Sequence, residues 1–251
     1  MERLLTPFSA LCEKLGIRVP RPKPWRKVLV RCQDEIAEFS YYAATYRAEE
    51  MYYWLPIPQW IEEDGTRGAQ HKTLDIGCAY GTLAVYSKKV LGGQVYCIDR
   101  IPINYFLTER LVQRHGLLFA VSDIELDPFP WDVRFDTVIF TEVLEHLNFH
   151  PLPTLKKIRG LLSDGGRVYL STPDASAWGR VTKYYARLDE IPCPGTVRRE
   201  KFIDDHVYLY TKDELMGLLE AAGFTVSRLG YAPGVPGTAC RHFALTLQAS
   251  P

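Results

Sequence analysis

Two groups of residues have types and spacing suited to chemistry. The first is a set of carboxylates around a small-residue turn. Asp75 leads the stretch Leu74-Asp-Ile-Gly-Cys-Ala-Tyr-Gly81, in which Gly77, Ala79 and Gly81 let the backbone approach a ligand closely. Asp99 follows the next apolar run and Asp123 the one after it. A carboxylate in the position of Asp99 accepts hydrogen bonds from a ribose diol in nucleotide-binding sheets, and Asp123 at the same edge can meet an adenine amino group. An acid ahead of the turn repels a pyrophosphate and attracts an amino or sulfonium group. The second group is Thr141-Glu-Val-Leu-Glu-His-Leu147. If a helix begins there, Glu142, Glu145 and His146 share its first turn. Two carboxylates and an imidazole can hold a divalent cation or act as base and orienter. Acids are also favoured at any helix N-terminus by the backbone dipole.

The elements that must position these residues alternate. Strands are predicted at 72–76, 94–98, 117–121, 135–140 and 167–171, with helices at 82–91, 104–115, 141–147 and 153–162 between them. Asp164-Gly165-Gly166 stops the last of these helices. A long irregular insert, 173–207, precedes a helix at 212–222 and two closing strands at 224–229 and 242–248. Strand–helix alternation implies right-handed crossovers and a Rossmann-like α/β fold: a mostly parallel seven-stranded sheet with helices on both faces. Residues 1–70 carry no strand pattern and read as an N-terminal helical extension capping the substrate, with 71–251 as the cofactor-binding domain. Within the extension a helix is expected over 33–51, then a Pro-broken aromatic stretch over 52–60 and a turn-rich segment over 62–70. The acceptor pocket is expected from the aromatics of this extension and from Trp178, Tyr184, Tyr185 and the pair Arg198-Arg199 in the insert.

The turn differs from the G-x-G-x-x-G of dinucleotide dehydrogenases, which is the competing reading. At this point the chain resembles the class I S-adenosylmethionine methyltransferases. Leu74 to Gly81 resembles their first motif, with Ala79 where the middle glycine usually stands. Cys97-Ile-Asp99, Ser122-Asp123-Ile124, the run Phe135 to Phe140 and the run Leu161 to Leu170 match the motifs that follow. The resemblance implies S-adenosyl-L-methionine as cofactor, held by Asp75, Gly77, Cys78, Ala79, Gly81, Asp99, Arg100, Asp123, Ile124 and Thr141. Asp204-Asp-His206, ahead of the late helix, adds a likeness to two subfamilies: small-RNA 3′-terminal 2′-O-methyltransferases and ubiquinone-pathway O-methyltransferases. The former imply Glu142, Glu145, His146 and His206 as ligands of Mg²⁺ or another divalent cation, with His146, His206 or Glu142 serving catalysis. The flanks of the late histidine differ from the RNA enzymes.

Composition narrows the acceptor. The 251 residues carry 30 basic and 30 acidic side chains, so no broad positive field gathers nucleic acid. A local basic run, Arg18, Arg21, Lys23, Arg26, Lys27 and Arg31, is either a solvated arm or an anion-binding patch. The six cysteines form no CxxC pair and read as reduced thiols of a cytoplasmic enzyme. No apolar run reaches membrane-span length, and Glu2, Glu13 and Lys14 break the N-terminal segment as a leader. A small-molecule or saccharide hydroxyl is therefore the expected acceptor. RNA 2′-O-methylation, N-methylation of a small molecule and a non-catalytic cofactor-binding fold are the alternatives. His71, His115 and His150 are expected to be structural or solvated, with His71 exposed.

Overall fold

The structure is a computed structural model that describes residues 24–40, 42, 46–179, 184–196, 202–232, 234 and 237–250. Seven strands form one sheet: β1 (Lys72–Ile76), β2 (Gln94–Asp99), β3 (Leu118–Val121), β4 (Phe135–Thr141), β5 (Leu162–Pro173), β6 (Phe224–Ala232) and β7 (His242–Ala249). Their order is β3-β2-β1-β4-β5-β7-β6. The first five are parallel, and β7 runs antiparallel to both β5 and β6. This is the mostly parallel seven-stranded sheet expected from the sequence. The chain reverses its strand order at β1 and β4, and open α/β sheets bind ligands at the carboxyl ends of the strands beside such a reversal.

Helices cover both faces. α1 (Pro24–Ala37), α3 (Pro56–Asp64) and α4 (Thr82–Leu91) share one apolar core through Trp25, Leu29, Ile36, Ile57, Ile61 and Val85. α6 (Pro151–Gly160) and α8 (Lys212–Ala221) cover the other face through Leu155, Ile158, Leu215 and Leu219. α2 (Tyr46–Tyr53), α5 (Glu109–His115) and the short α7 (Ala175–Trp178) complete the helices used below. Local signals explain the boundaries. Thr108 caps α5 by accepting from the Leu111 amide, and Thr211 with Glu214 forms a capping box on α8.

Several expectations are corrected. The helix expected over 33–51 is two helices, α1 and α2. The apolar face of α1 begins earlier, at Trp25, and the helix stops where the Ser40 hydroxyl donates to the Ile36 carbonyl. The stretch expected to be broken at 52–60 and turn-rich at 62–70 instead contains α3, because Pro56 stands at its start, where a proline is tolerated. The helix expected from residue 104 begins at Glu109, after Asn104 adopts φ 69°. The helix expected over 141–147 is a single 3₁₀ turn, Leu144–His146. Glu142 has φ 54°, a left-handed backbone that no α-helix continues through. The Glu145 carbonyl, which an α-helix would pair four residues on, instead accepts from the Val207 and Tyr208 amides. His71 is buried, not exposed: Nε2 lies 3.2 Å from Thr137 Oγ1. His150 Nδ1 accepts from the Leu152 amide at the start of α6, and His115 lies 3.0 Å from Glu35, so both are structural. The segment 1–23, with Cys12, Arg18, Arg21 and Lys23, lies outside the described residues, as do Arg198 and Arg199. Arg26, Lys27 and Arg31 are exposed on α1. Among the described residues no helix is long and apolar enough to cross a membrane.

Candidate active site

A cleft runs along the carboxyl ends of β1, β2, β3 and β4. Its two lobes share Tyr46, Gly77, Glu142 and His146 and are continuous.

The first lobe is lined by Gly77, Asp99, Arg100, Ser122, Asp123 and Ile124, all within three residues of a strand end. The turn after β1 hangs on β2: the Gly77 amide donates to the Ile98 carbonyl at 2.8 Å, and the Ala79 amide to Asp99 Oδ2 at 3.0 Å. Asp99 Oδ1 accepts from the Ile101 amide at 2.9 Å. Asp99 therefore braces the turn as well as facing the lobe, and it supports a left-handed φ of 43° at Ala79. Gly77 has φ 67°, and a Cβ there would stand 2.4 Å from Val143 Cγ2, so no side chain fits. Asp123 Oδ1 accepts from the Glu125 amide, while its Oδ2 is buried without a partner. Gly81, with φ 79°, precedes α4 and does not line the cleft. Burial beside Asp99 pushes the Asp75 carboxyl up to about 8.

The second lobe is acidic and aromatic. Glu49, Glu50, Asp75, Glu142 and Glu145 line it, with His146, His206 and His242 and the rings of Tyr46, Tyr53, Trp54 and Trp178. No Lys or Arg does so among the described residues. Glu145 is buried, with Oε2 accepting from Thr172 Oγ1 at 2.8 Å and Oε1 left without a hydrogen-bond partner. His146 Nε2 lies 4.0 Å from that Oε1, and its Nδ1 lies 3.0 Å from the Asp205 carbonyl. A carbonyl only accepts, so Nδ1 carries a proton and Nε2 is the ring nitrogen turned toward Glu145. The Val207 amide bond to Glu145 folds the end of the insert back, and the His206 ring centre stands 4.9 Å from that of His146. Glu145, His146 and His206 each present a ligand atom, all within 4.8 Å of one another. Glu142 is not one of that group. Its left-handed backbone turns Oε1 to Ser171 Oγ at 2.6 Å and Oε2 to within 2.8 Å of His242 Nδ1. Burial raises Glu142 and Glu145 to about 8 each and holds His242 down at about 4, so that imidazole is neutral.

The structure thus brings Glu145, His146 and His206 together and leaves Glu142 beside them. Asp75, Cys78, Ala79 and Thr141 line the second lobe. Of the aromatics expected in the pocket, Tyr46 and Trp178 line it, whereas Tyr184 is exposed and Tyr185 packs against the core. Tyr53 and Trp54, in the aromatic stretch of the extension, line it as well, whereas sequence reasoning missed His242 and Glu50. His242 lies on β7, which reads only as a closing strand. Tyr53 stacks on it at 4.6 Å, and Trp178 meets it edge-on at 5.2 Å.

The reversed strand order, the cleft at the strand ends and the acid-led turn define a cofactor-binding α/β enzyme of the methyltransferase class. The methyltransferase domain family matches residues 25–229, and the chain belongs to that family. It is a class I S-adenosylmethionine-dependent methyltransferase. The ubiquinone biosynthesis O-methyltransferase of Aeromonas salmonicida is 31% identical over 183 residues, 69% of this chain and 72% of that protein. That of Histophilus somni is 26% identical over 164 residues, 62% of this chain and 68% of its own length. Among solved structures, the 1,6-didemethyltoxoflavin-N1-methyltransferase of Burkholderia thailandensis, with bound 1,6-didemethyltoxoflavin and S-adenosylhomocysteine, aligns with a TM-score of 0.60 at 19% identity. The alignment covers 93% of each chain and shows the shared fold.

Proposed function

We propose that the enzyme O-methylates a small planar acceptor carrying vicinal hydroxyls, a catechol-like diol, at a site assisted by a divalent cation. The observation that carries this reading is the convergence of Glu145, His146 and His206 beside the cofactor cleft. The donor set fits a cation. It mixes oxygen and nitrogen without thiolate, which suits Mg²⁺, Mn²⁺ or a borderline divalent ion. Glu145 Oε1 is buried and faces His146 Nε2 across 4.0 Å, a gap a cation would close. A bound cation would lower the pKa of an acceptor hydroxyl. The names of the relatives, all O-methyltransferases, support the same chemistry.

The chain's own residues then have separable roles. Asp99 and Asp123 orient the nucleoside, and Gly77 admits the cofactor chain past Val143. Tyr53, Trp178 and Tyr46 stack on a planar acceptor and exclude water. Methyl transfer forms the O–C bond as the C–S bond breaks, with the acceptor oxygen about 3 Å from the methyl carbon and in line with sulfur. With His146 and His206 on the cation, the acceptor proton passes to Glu142, which lines the same lobe outside the ligand group. Cofactor contacts by Arg100 and Ile124 belong to the same proposal.

The acidic second lobe disfavours a polyanion such as RNA and leaves an amine as the second reading, since five carboxylates without Lys or Arg also attract a cationic acceptor. The test is methylation of 4-methylcatechol, 4-methylphenol and a primary arylalkylamine by chelator-treated enzyme, with Mg²⁺, Mn²⁺ or Zn²⁺ restored singly. Cation-dependent methylation of the catechol alone is expected. Amine methylation unaffected by chelation would overturn the proposal in favour of N-methylation.

A further inference from the structure

Glu50 lies outside every motif that marks the cofactor site. It sits on α2, in the N-terminal extension, yet it lines the second lobe beside Asp75, Gly77, Cys78, Ala79 and Thr82. It is 6% exposed. Its neighbours hold it with neutral donors only. Oε2 accepts from the Tyr42 hydroxyl and from Gln33 Nε2 at 3.1 Å, and Oε1 accepts from Thr82 Oγ1 at 2.7 Å. Arg47, the cation nearest in sequence, spends its guanidinium on Asp34. A carboxylate offers about four lone-pair directions. Three are used here, and the one that remains is on Oε1, the oxygen bonded to the first residue of α4. Asp75, at the end of β1 and buried at 3% exposure, faces the same space. Two buried acids against one cavity repel each other once ionised, so they hold a proton or take a cation between them.

The ligand of this cleft brings such a cation. The adenosine lobe contains Asp99 and Asp123, so the amino-acid end of the cofactor extends past Gly77 toward Asp75 and Thr82. We propose that Glu50 is a cofactor-binding residue that, with Asp75, receives the α-ammonium of S-adenosylmethionine through its remaining Oε1 lone pair. The extension is then part of the cofactor site, and cofactor binding docks α2 onto the turn after β1. Gln33 and Tyr42, which do not line the cleft, are positioning residues: they aim and stabilise the Glu50 carboxylate. The inference holds for any acceptor and does not depend on a cation at Glu145, His146 and His206.

The experiment compares two ligands by calorimetry. S-adenosylhomocysteine has the amino-acid end; 5′-methylthioadenosine lacks it and shares the nucleoside and the thioether. In Glu50→Gln, which keeps the shape and removes the charge, affinity for S-adenosylhomocysteine falls about ten- to hundredfold, while that for 5′-methylthioadenosine stays within about twofold. Glu50→Asp recovers part of the loss. An equal loss for both ligands would mean that Glu50 only braces the fold, and no loss for either would remove it from the site; each result overturns the proposal. Wild-type enzyme gives a second measurement if the variants do not fold. Amide hydrogen exchange in Tyr46–Tyr53 slows on binding S-adenosylhomocysteine and not on binding 5′-methylthioadenosine at equal saturation. Equal protection by the two would also overturn it.

Discussion

The first lobe of the cleft takes Gly77, Asp99 and Asp123 from the ends of β1, β2 and β3, whereas the second lobe takes Glu50 from α2, Glu145 from a 3₁₀ turn, Trp178 from α7, His206 from the insert and His242 from β7. The first lobe is held by backbone amides, as in the Ala79 and Ile101 bonds to Asp99. The second is held by side chains on side chains, as in Thr172 to Glu145 and Ser171 to Glu142. The difference matches the tasks proposed for them. A nucleoside presents the same hydroxyls and ring edge in every enzyme of the class, and a strand end with its following loop suffices to meet it. An acceptor varies, so its lobe is assembled from the parts of the fold most free to change, the insert and the extension.

The contrast predicts separable failures. The largest concerns the second lobe. His146→Ala, which removes a ligand of the proposed cation, should lower kcat by about 10–100-fold or more. Its affinity for S-adenosylhomocysteine should stay within about threefold. A parallel loss of cofactor affinity would merge the two lobes into one functional unit.

The first lobe should fail in the opposite sense. Gly77→Val meets Val143 at 2.4 Å and a φ of 67°, and it should abolish cofactor binding in a calorimetric titration while destabilising the fold by about 1–3 kcal/mol. Asp99→Ala is milder. It removes a charged acceptor and a brace on Ala79, so cofactor affinity should drop by about 1.5–3 kcal/mol with acceptor KM unchanged. Unchanged affinity would remove Asp99 from the nucleoside contacts.

The pH dependence tests the acids between the lobes. Burial raises Asp75 from 3.8 to about 8 and Glu50 from 4.5 to about 7. The folded apo-protein therefore holds protons that the unfolded chain has released. This contribution is fully present below the unfolded values and is lost as pH rises through the folded ones, so the apo Tm should fall between about pH 5 and pH 8. Saturating S-adenosylmethionine should flatten that slope and release protons on binding, visible as a buffer-dependent binding enthalpy. A Tm that rises over the same range would show these acids to be ionised without a ligand.

The smallest effect is expected away from the cleft. His71 bonds Thr137 at the opposite end of the strands, so His71→Gln should cost about 1 kcal/mol in a denaturant titration and leave kcat/KM unchanged.

How far the sequence was legible follows the same division. β1 and α4 were placed to the residue, because an apolar strand, a small-residue turn and an amphipathic helix are all local patterns. Asp75, Asp99 and Asp123 were picked out because each stands at or just past the end of such a strand. The turn after β4 was misread as a helix, since Glu142-Val-Leu-Glu145 has ordinary helical composition. What overrode it lies far along the chain, where the Val207 amide takes the Glu145 carbonyl. His242 and Glu50 gave no signal at all. One is the first residue of a mostly apolar strand, the other one of two adjacent acids on α2.

The sequence by itself determined the sheet, the acid-led turn and the carboxylate at the end of β2, because period-two and period-3.6 patterns and strand-end loops are set by neighbours in the chain. Only the tertiary structure decided which acids lose water and which histidines meet. Burial and proximity arise from contacts between residues distant in sequence: β7 carries His242 to Glu142, the insert returns His206 to His146, and α2 lays Glu50 against Thr82. The charge of the second lobe comes from that folding together.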